Sequence, residues 1–171
     1  MSIITGGLQA RGQEMSKKWT IFIKRGKDLK GLSARTICVD ENSRILLIKR
    51  ALGSESGAGK WDIPGGHVDE DDRSLEAAAQ RELFEETNIF YPEDGLIYIG
   101  RDDWKDDKVY YYAFPYNRDK ITLHPNPQTG FVEHSEYEWA TIDEIIAYEK
   151  QELTTFPIYL LRKALEKVQN L

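Results

Sequence analysis

Alternating apolar and polar positions mark the extended segments of the chain. WTIFIKR at residues 19–25 alternates as a strand does, and the polar KDLKG after it reads as a turn. ARTICVD (34–40) and RILLIKR (44–50) are β-branched or apolar runs separated by ENS, which predicts a hairpin. ALGSESGAGK then predicts a loop, and WDIPGGHV a short extended stretch with a Pro-Gly-Gly turn. From Ser74 to about Asn88 the period becomes helical. Ser74 or Asp72 supplies the N-cap, Ala77, Ala78 and Ala79 favour helix, and Leu75, Ala79, Leu83 and Phe84 form the apolar face. Pro92 and Gly95 mark the exit. LIYIG and KVYYYAFPY predict strands, ITLHPNPQTG a loop, and EYEWATI another strand. IDEIIAYEK and PIYLLRKALEKV predict two closing helices, with Pro157 near the first turn of the second. Strands around a central helix, followed by further helices, place the chain in a layered mixed α/β class.

Composition narrows this picture. The 171 residues suffice for one sizeable core, expected over residues 16–171, with residues 1–15 a flexible tail. A net charge of -6 argues against strong nucleic-acid binding through basic phosphate contacts. It leaves room for an anionic substrate, because a bound cation reverses the local sign of charge. The single cysteine, Cys38, allows neither an intrachain disulfide nor a thiolate zinc site, and its apolar run predicts a small buried side chain. No apolar run reaches 18 residues and the N-terminus lacks signal-peptide character, so a cytoplasmic, membrane-free location is expected.

The informative segment is RELFEETNI, residues 81–89. Positions three and four apart on a helix share a face, so Glu82, Glu85 and Glu86 direct carboxylates to one region. Like charges at that spacing cost a helix about 0.2–0.5 kcal/mol per pair. A divalent cation converts that repulsion into coordination, since magnesium prefers hard oxygen ligands. Taken alone, the cluster reads equally as a solvated face, with Arg81 pairing to Glu85.

The wider segment GKWDIPGGHVDEDDRSLEAAAQRELFEETNI, residues 59–89, decides between them: it resembles the Nudix box. LLIKR and GKWDIPGG resemble the usual lead-in. The likeness covers about 45 residues. It implies a Nudix-type α/β/α sandwich, a central mixed sheet with a loop–helix–loop catalytic segment. By position Gly66 takes the box glycine, Arg81 the arginine that orients the glutamates, and Glu82, Glu85 and Glu86 the metal-binding places. Two positions depart from the pattern. Arg73 stands where the family carries a supporting glutamate, and a loop one residue longer suggests that Asp72 replaces it. Asn88 stands for the glycine after the helix, a change that a left-handed cap tolerates.

The resemblance implies Mg2+- or Mn2+-dependent hydrolysis of a phosphate anhydride in a nucleoside diphosphate linked to another group. Such chemistry needs the phosphate charge neutralised and a water placed in line. Glu82, Glu86 and Arg81 are the expected catalytic residues. Glu133 is the first choice for a general base in the later loop and Glu136 the second. Arg50, Lys60, His67 and Glu136 are the substrate-binding candidates, while His134 and His67 read equally as structural histidines and His124 carries no signal. Trp104, Tyr110, Tyr112 and Phe114 are stacking candidates, half of them core by strand alternation. A nucleoside triphosphate is the favoured substrate. ADP-ribose or a nucleotide sugar, a dinucleoside polyphosphate or RNA end, and a binding module without turnover are the alternatives, with a homodimer as a family-typical assembly. SGAGKW fails as a Walker loop, because Ser54 and Trp61 stand at required glycine and Ser/Thr positions.

Overall fold

Strand β1 (Leu32–Val39) runs through the middle of the sheet, and its neighbours change along its length. A computed structural model describes residues 29–117 and 120–171; the expected strand at 19–25 and the tail at 1–15 lie outside them. The other strands are β2 (Ile45–Arg50), β3 (Trp61–Asp62), β4 (Gly65–His67), β5 (Ile97–Trp104), β6 (Asp107–Pro115) and β7 (His134–Ala140). The sheet order is β3-β2-β1-β6-β5, with β4 also on β1 and β7 on β2.

The hairpin expected at 34–50 closes only at its base. β1 and β2 pair antiparallel at Val39 and Ile45, then diverge. From there β1 pairs in parallel with β6 along its whole length and antiparallel with β4 at Ser33–Arg35, while β2 pairs with β7. Both runs are apolar on each face, the pattern of strands buried between two layers rather than of a free hairpin.

Period-2 alternation sends side chains into two cores. Ile37, Val39, Leu47, Tyr111 and Ala113 pack against helices α2 (Ile142–Lys150) and α3 (Ile158–Gln169). Cys38, Leu46, Tyr112 and Phe114 pack against helix α1 (Leu75–Thr87) on the opposite face. The result is the expected α/β/α sandwich, and Cys38 is buried in it. No described helix is long and apolar enough to cross a membrane.

Two details of α1 position the site. Ser74 is the N-cap, its hydroxyl accepting from the Ala77 N–H at 3.0 Å, which leaves Asp72 free for other work. Asn88 is the left-handed C-cap, at φ 59°. Leu75, Ala78, Ala79 and Leu83 bury the apolar face, whereas Phe84 is exposed, a turn position away from that stripe.

Candidate active site

The divergence of β1 from β2 opens a cleft of about 920 Å³, with Glu82, Glu85 and Glu86 on its wall. Glycines let the β4 turn approach these carboxylates. A Cβ on Gly66 would stand 2.6 Å from the Glu82 carboxyl carbon, and the Gly65 N–H donates to Glu86 Oε2 at 2.9 Å. Gly65 itself, at φ +150°, lies against β1, where a Cβ would meet Arg35 Cα at 2.6 Å.

Arg81 knits the acidic wall together. It donates to Glu82 Oε1 at 2.9 Å, to Glu85 Oε2 at 3.3 Å and to the His67 carbonyl at 3.0 Å. Asp72, largely buried, accepts from Arg81 twice, and its Oδ2 also accepts from the Asp69 N–H. Arg73 takes no part: its exposed side chain pairs with Glu93. A carboxylate one residue earlier, Asp72, thus meets Arg81 where Arg73 does not.

The electrostatics are those of a buried acidic pocket that Arg81 and Arg35 offset only in part. Burial raises the Glu82 carboxyl to about 7, against the lowering pull of Arg81. Burial pushes Glu86 well above the ordinary carboxylate range, and the Glu82 charge adds to the rise. Burial alone would lower Arg81, but Asp72 and Glu82 hold it above its ordinary value. Three carboxylates with one arginine between them suit a hard divalent cation, so the donor set fits magnesium or manganese.

The other expected residues divide. Arg50, Lys60 and the exposed His67 line the cleft, and Glu133 reaches it from the loop before β7. Asn126 Nδ2 donates to Glu133 Oε1 at 2.7 Å and fixes that carboxylate. Glu136 does not reach the cleft. The pairing of β2 with β7 slips between Lys49 and Arg50, and Glu136 faces outward to Lys49, 3.4 Å away. His134 is buried, with Nδ1 3.7 Å from Glu86 Oε1, and burial lowers its pKa to about 4. His124 lines a small cavity beside it. Of the stacking candidates only Trp104, exposed at the rim, lines the cleft; Tyr112 and Phe114 are core and Tyr110 packs on them.

Three site residues carried no signal in the sequence: Arg35, Asp62 and Asn126. The buried Asp62 accepts from Arg35 and, at 3.3 Å, from Arg50, aligning two guanidinium groups along the cleft. Burial alone would lower Arg35, but Asp62, Tyr111, Glu86 and Glu82 together hold it above its ordinary value. The Asn-Pro step at 126–127 marked a turn, but nothing in it pointed to Glu133.

Comparisons with known proteins agree with this fold. The family model of the NUDIX domain matches residues 29–162. An uncharacterized 17.7 kDa protein of the e-segB intergenic region of Enterobacteria phage T4 is 37% identical over 94 residues, 51% of this chain, and the match spans 62% of that protein's length. The crystal structure of a MutT protein from Methanosarcina mazei superposes at a TM-score of 0.57 with 28% identity, covering 81% of this chain and 92% of that one. A bifunctional NMN adenylyltransferase/ADP ribose pyrophosphatase from Francisella tularensis, complexed with AMP and a manganese ion, superposes at 0.57 with 19% identity, covering 80% of this chain and 41% of that one.

Proposed function

The chain belongs to the NUDIX family of phosphoanhydride hydrolases, and from that premise we propose that it cleaves a nucleoside diphosphate linked to a second group, with magnesium or manganese. The observation that carries this reading is the convergence of Glu82 and Glu86 on the Gly65–Gly66 turn, with Arg81 and Asp72 behind them.

Glu82, Glu85, Glu86 and the Gly66 backbone would hold the ion, which supplies charge neutralisation to the scissile phosphates and acidity to a bound water. Arg81 fixes the Glu82 and Glu85 carboxylates so that they present lone pairs inward. Arg35 and Arg50, held by Asp62, offer N–H donors to the phosphates, and Lys60 adds a mobile charge at the loop. Glu133, with one oxygen fixed by Asn126, accepts the proton of the attacking water.

The cleft also bears on the substrate. Its 920 Å³ lies near the top of the roughly 300–1,000 Å³ usual for small-molecule sites. Trp104, Arg50 and Lys60 all line it. That volume leaves room for groups on both sides of the anhydride, as in ADP-ribose, and so favours such a substrate over the triphosphate favoured by sequence alone. The Francisella enzyme, named for ADP-ribose, supports the same choice.

A screen of nucleoside triphosphates, ADP-ribose, nucleotide sugars and dinucleoside polyphosphates with Mg2+ or Mn2+ tests this, with products identified. Release of a nucleoside monophosphate from a two-part substrate is expected, abolished by Glu86→Gln in a folded protein. Wild-type turnover by Glu86→Gln would overturn the assignment.

A further inference from the structure

The chain just before Glu133 is exposed from Pro127 to Val132, so its shape comes from a few contacts rather than from burial. Asn126 closes the turn. Its Oδ1 accepts from the Gln128 and Thr129 N–H groups at 2.9 and 3.0 Å, and its own N–H donates to the Phe131 carbonyl at 2.8 Å. The same side chain holds Glu133 through Nδ2, which makes the turn and the carboxylate one unit. Two described contacts fasten that unit to the segment after Arg50. The Ala51 N–H donates to the Glu133 carbonyl at 2.8 Å, and the Phe131 ring lies on Gly53. A Cβ on Gly53 would stand 3.2 Å from Phe131 Cζ, yet Gly53 is not among the glycines of positive φ. Its backbone is open to other residues; the missing side chain is the seat of the ring.

We infer that Phe131 is a positioning residue for Glu133: seated on Gly53, it fixes the turn that presents the proton-accepting carboxylate to the cleft. The inference rests on the reading of Glu133 as proton acceptor. Phe131 does not line the cleft and belongs to neither core, and its ring is 44% exposed, so its contact with Gly53 shapes the loop rather than the substrate site or the fold. Arg50 Nε donates to the Ser56 carbonyl at 2.7 Å, so the loop under the ring is held by the guanidinium offered to the phosphates. Through Phe131, phosphate donor and proton acceptor keep a fixed relation. Distance is what such a contact controls, since a misplacement of about 1 Å can cost about 100-fold in rate.

The test follows ADP-ribose hydrolysis by the full chain with Mg2+, beside amide exchange of the same proteins. Phe131→Ala is expected to lower kcat about 10–100-fold, with KM within about threefold and the melt little changed. Exchange at Asn126, Gln128 and Thr129, whose N–H groups hold the turn, should quicken. In a Glu133→Gln background the same substitution should cost no further activity, because the group it positions is gone. Gly53→Ala, whose Cβ crowds the ring, should also lower kcat, and adding Phe131→Leu, which lacks the far end of the ring, should recover part of that loss. Unchanged exchange or wild-type kcat in Phe131→Ala overturns the inference, as does an undiminished loss in the Glu133→Gln background. Wild-type kcat in Glu133→Gln overturns instead the reading of Glu133 on which it rests.

Discussion

Asp72 holds Arg81 side-on, its two oxygens accepting from Nε at 3.1 Å and from a terminal nitrogen at 2.9 Å. This pair sets the direction in which Arg81 meets Glu82 and Glu85. Asp72→Asn is expected to cut kcat about 10–100-fold, the usual loss for a group that orients a metal ligand. Arg73→Ala, which removes only an exposed pair with Glu93, should leave activity within about twofold. Steady-state kinetics on both variants checks the exchange of roles.

The two glycines of the β4 turn should fail in different ways. Gly66→Ala collides with the Glu82 carboxylate, a side-chain end that can swing aside, so the protein should fold yet lose roughly tenfold or more in activity. Gly65→Ala meets β1 backbone at a φ of +150°, and about 2 kcal/mol of stability or more should go. Thermal melts beside kinetics separate the two.

Proton linkage follows from the raised Glu82. Its folded value, about 7, exceeds the ordinary carboxylate value of 4.5, so the neutral form is favoured in the folded state. That contribution is fully present below about pH 4.5 and is lost as pH rises through about 7. Without metal, the melting temperature should therefore fall across this window, less so in Glu82→Gln. Mg2+ affinity should rise over the same range, because the ionised carboxylate is the ligand. Melts and metal titrations at pH 5.5 and 8 test both halves.

Trp104 is the rim residue placed to stack on a base. Since such stacking is worth about 1–3 kcal/mol, Trp104→Ala should raise KM roughly tenfold with kcat little changed. A purely structural Trp104 would instead alter the melt and leave KM alone.

Local spacing made α1 legible. Glu82, Glu85 and Glu86 fall on one helical face whatever the rest of the chain does, and Ser74 and Asn88 cap the ends by their own chemistry. Asp72 was legible as a candidate for the carboxylate missing at residue 73 because the loop is one residue longer than usual, and in the structure it accepts twice from Arg81. Arg35 and Asp62 were not, since they lie 27 residues apart on β1 and β3, strands that do not pair with each other and that only the assembled sheet brings together. The β5–β6 hairpin was missed at its tip: Trp104 and Asp107 close around Lys105, which adopts φ 54° without the glycine that usually announces such a turn. Glu136 was chosen from the same segment as Glu133, and only the β2–β7 pairing shows that it turns outward to Lys49.

The parallel pairing of β1 with β6 couples residues 32–39 to residues 108–115, and the cleft draws its lining from Ser33 through Pro157. Closing such distant segments is an entropic cost met before any contact rewards it, which makes parallel sheets slow to assemble. The catalytic helix can form early, but it has nothing to act with until the sheet is complete. Recovered turnover after dilution from denaturant therefore reports the last folding event, not the first.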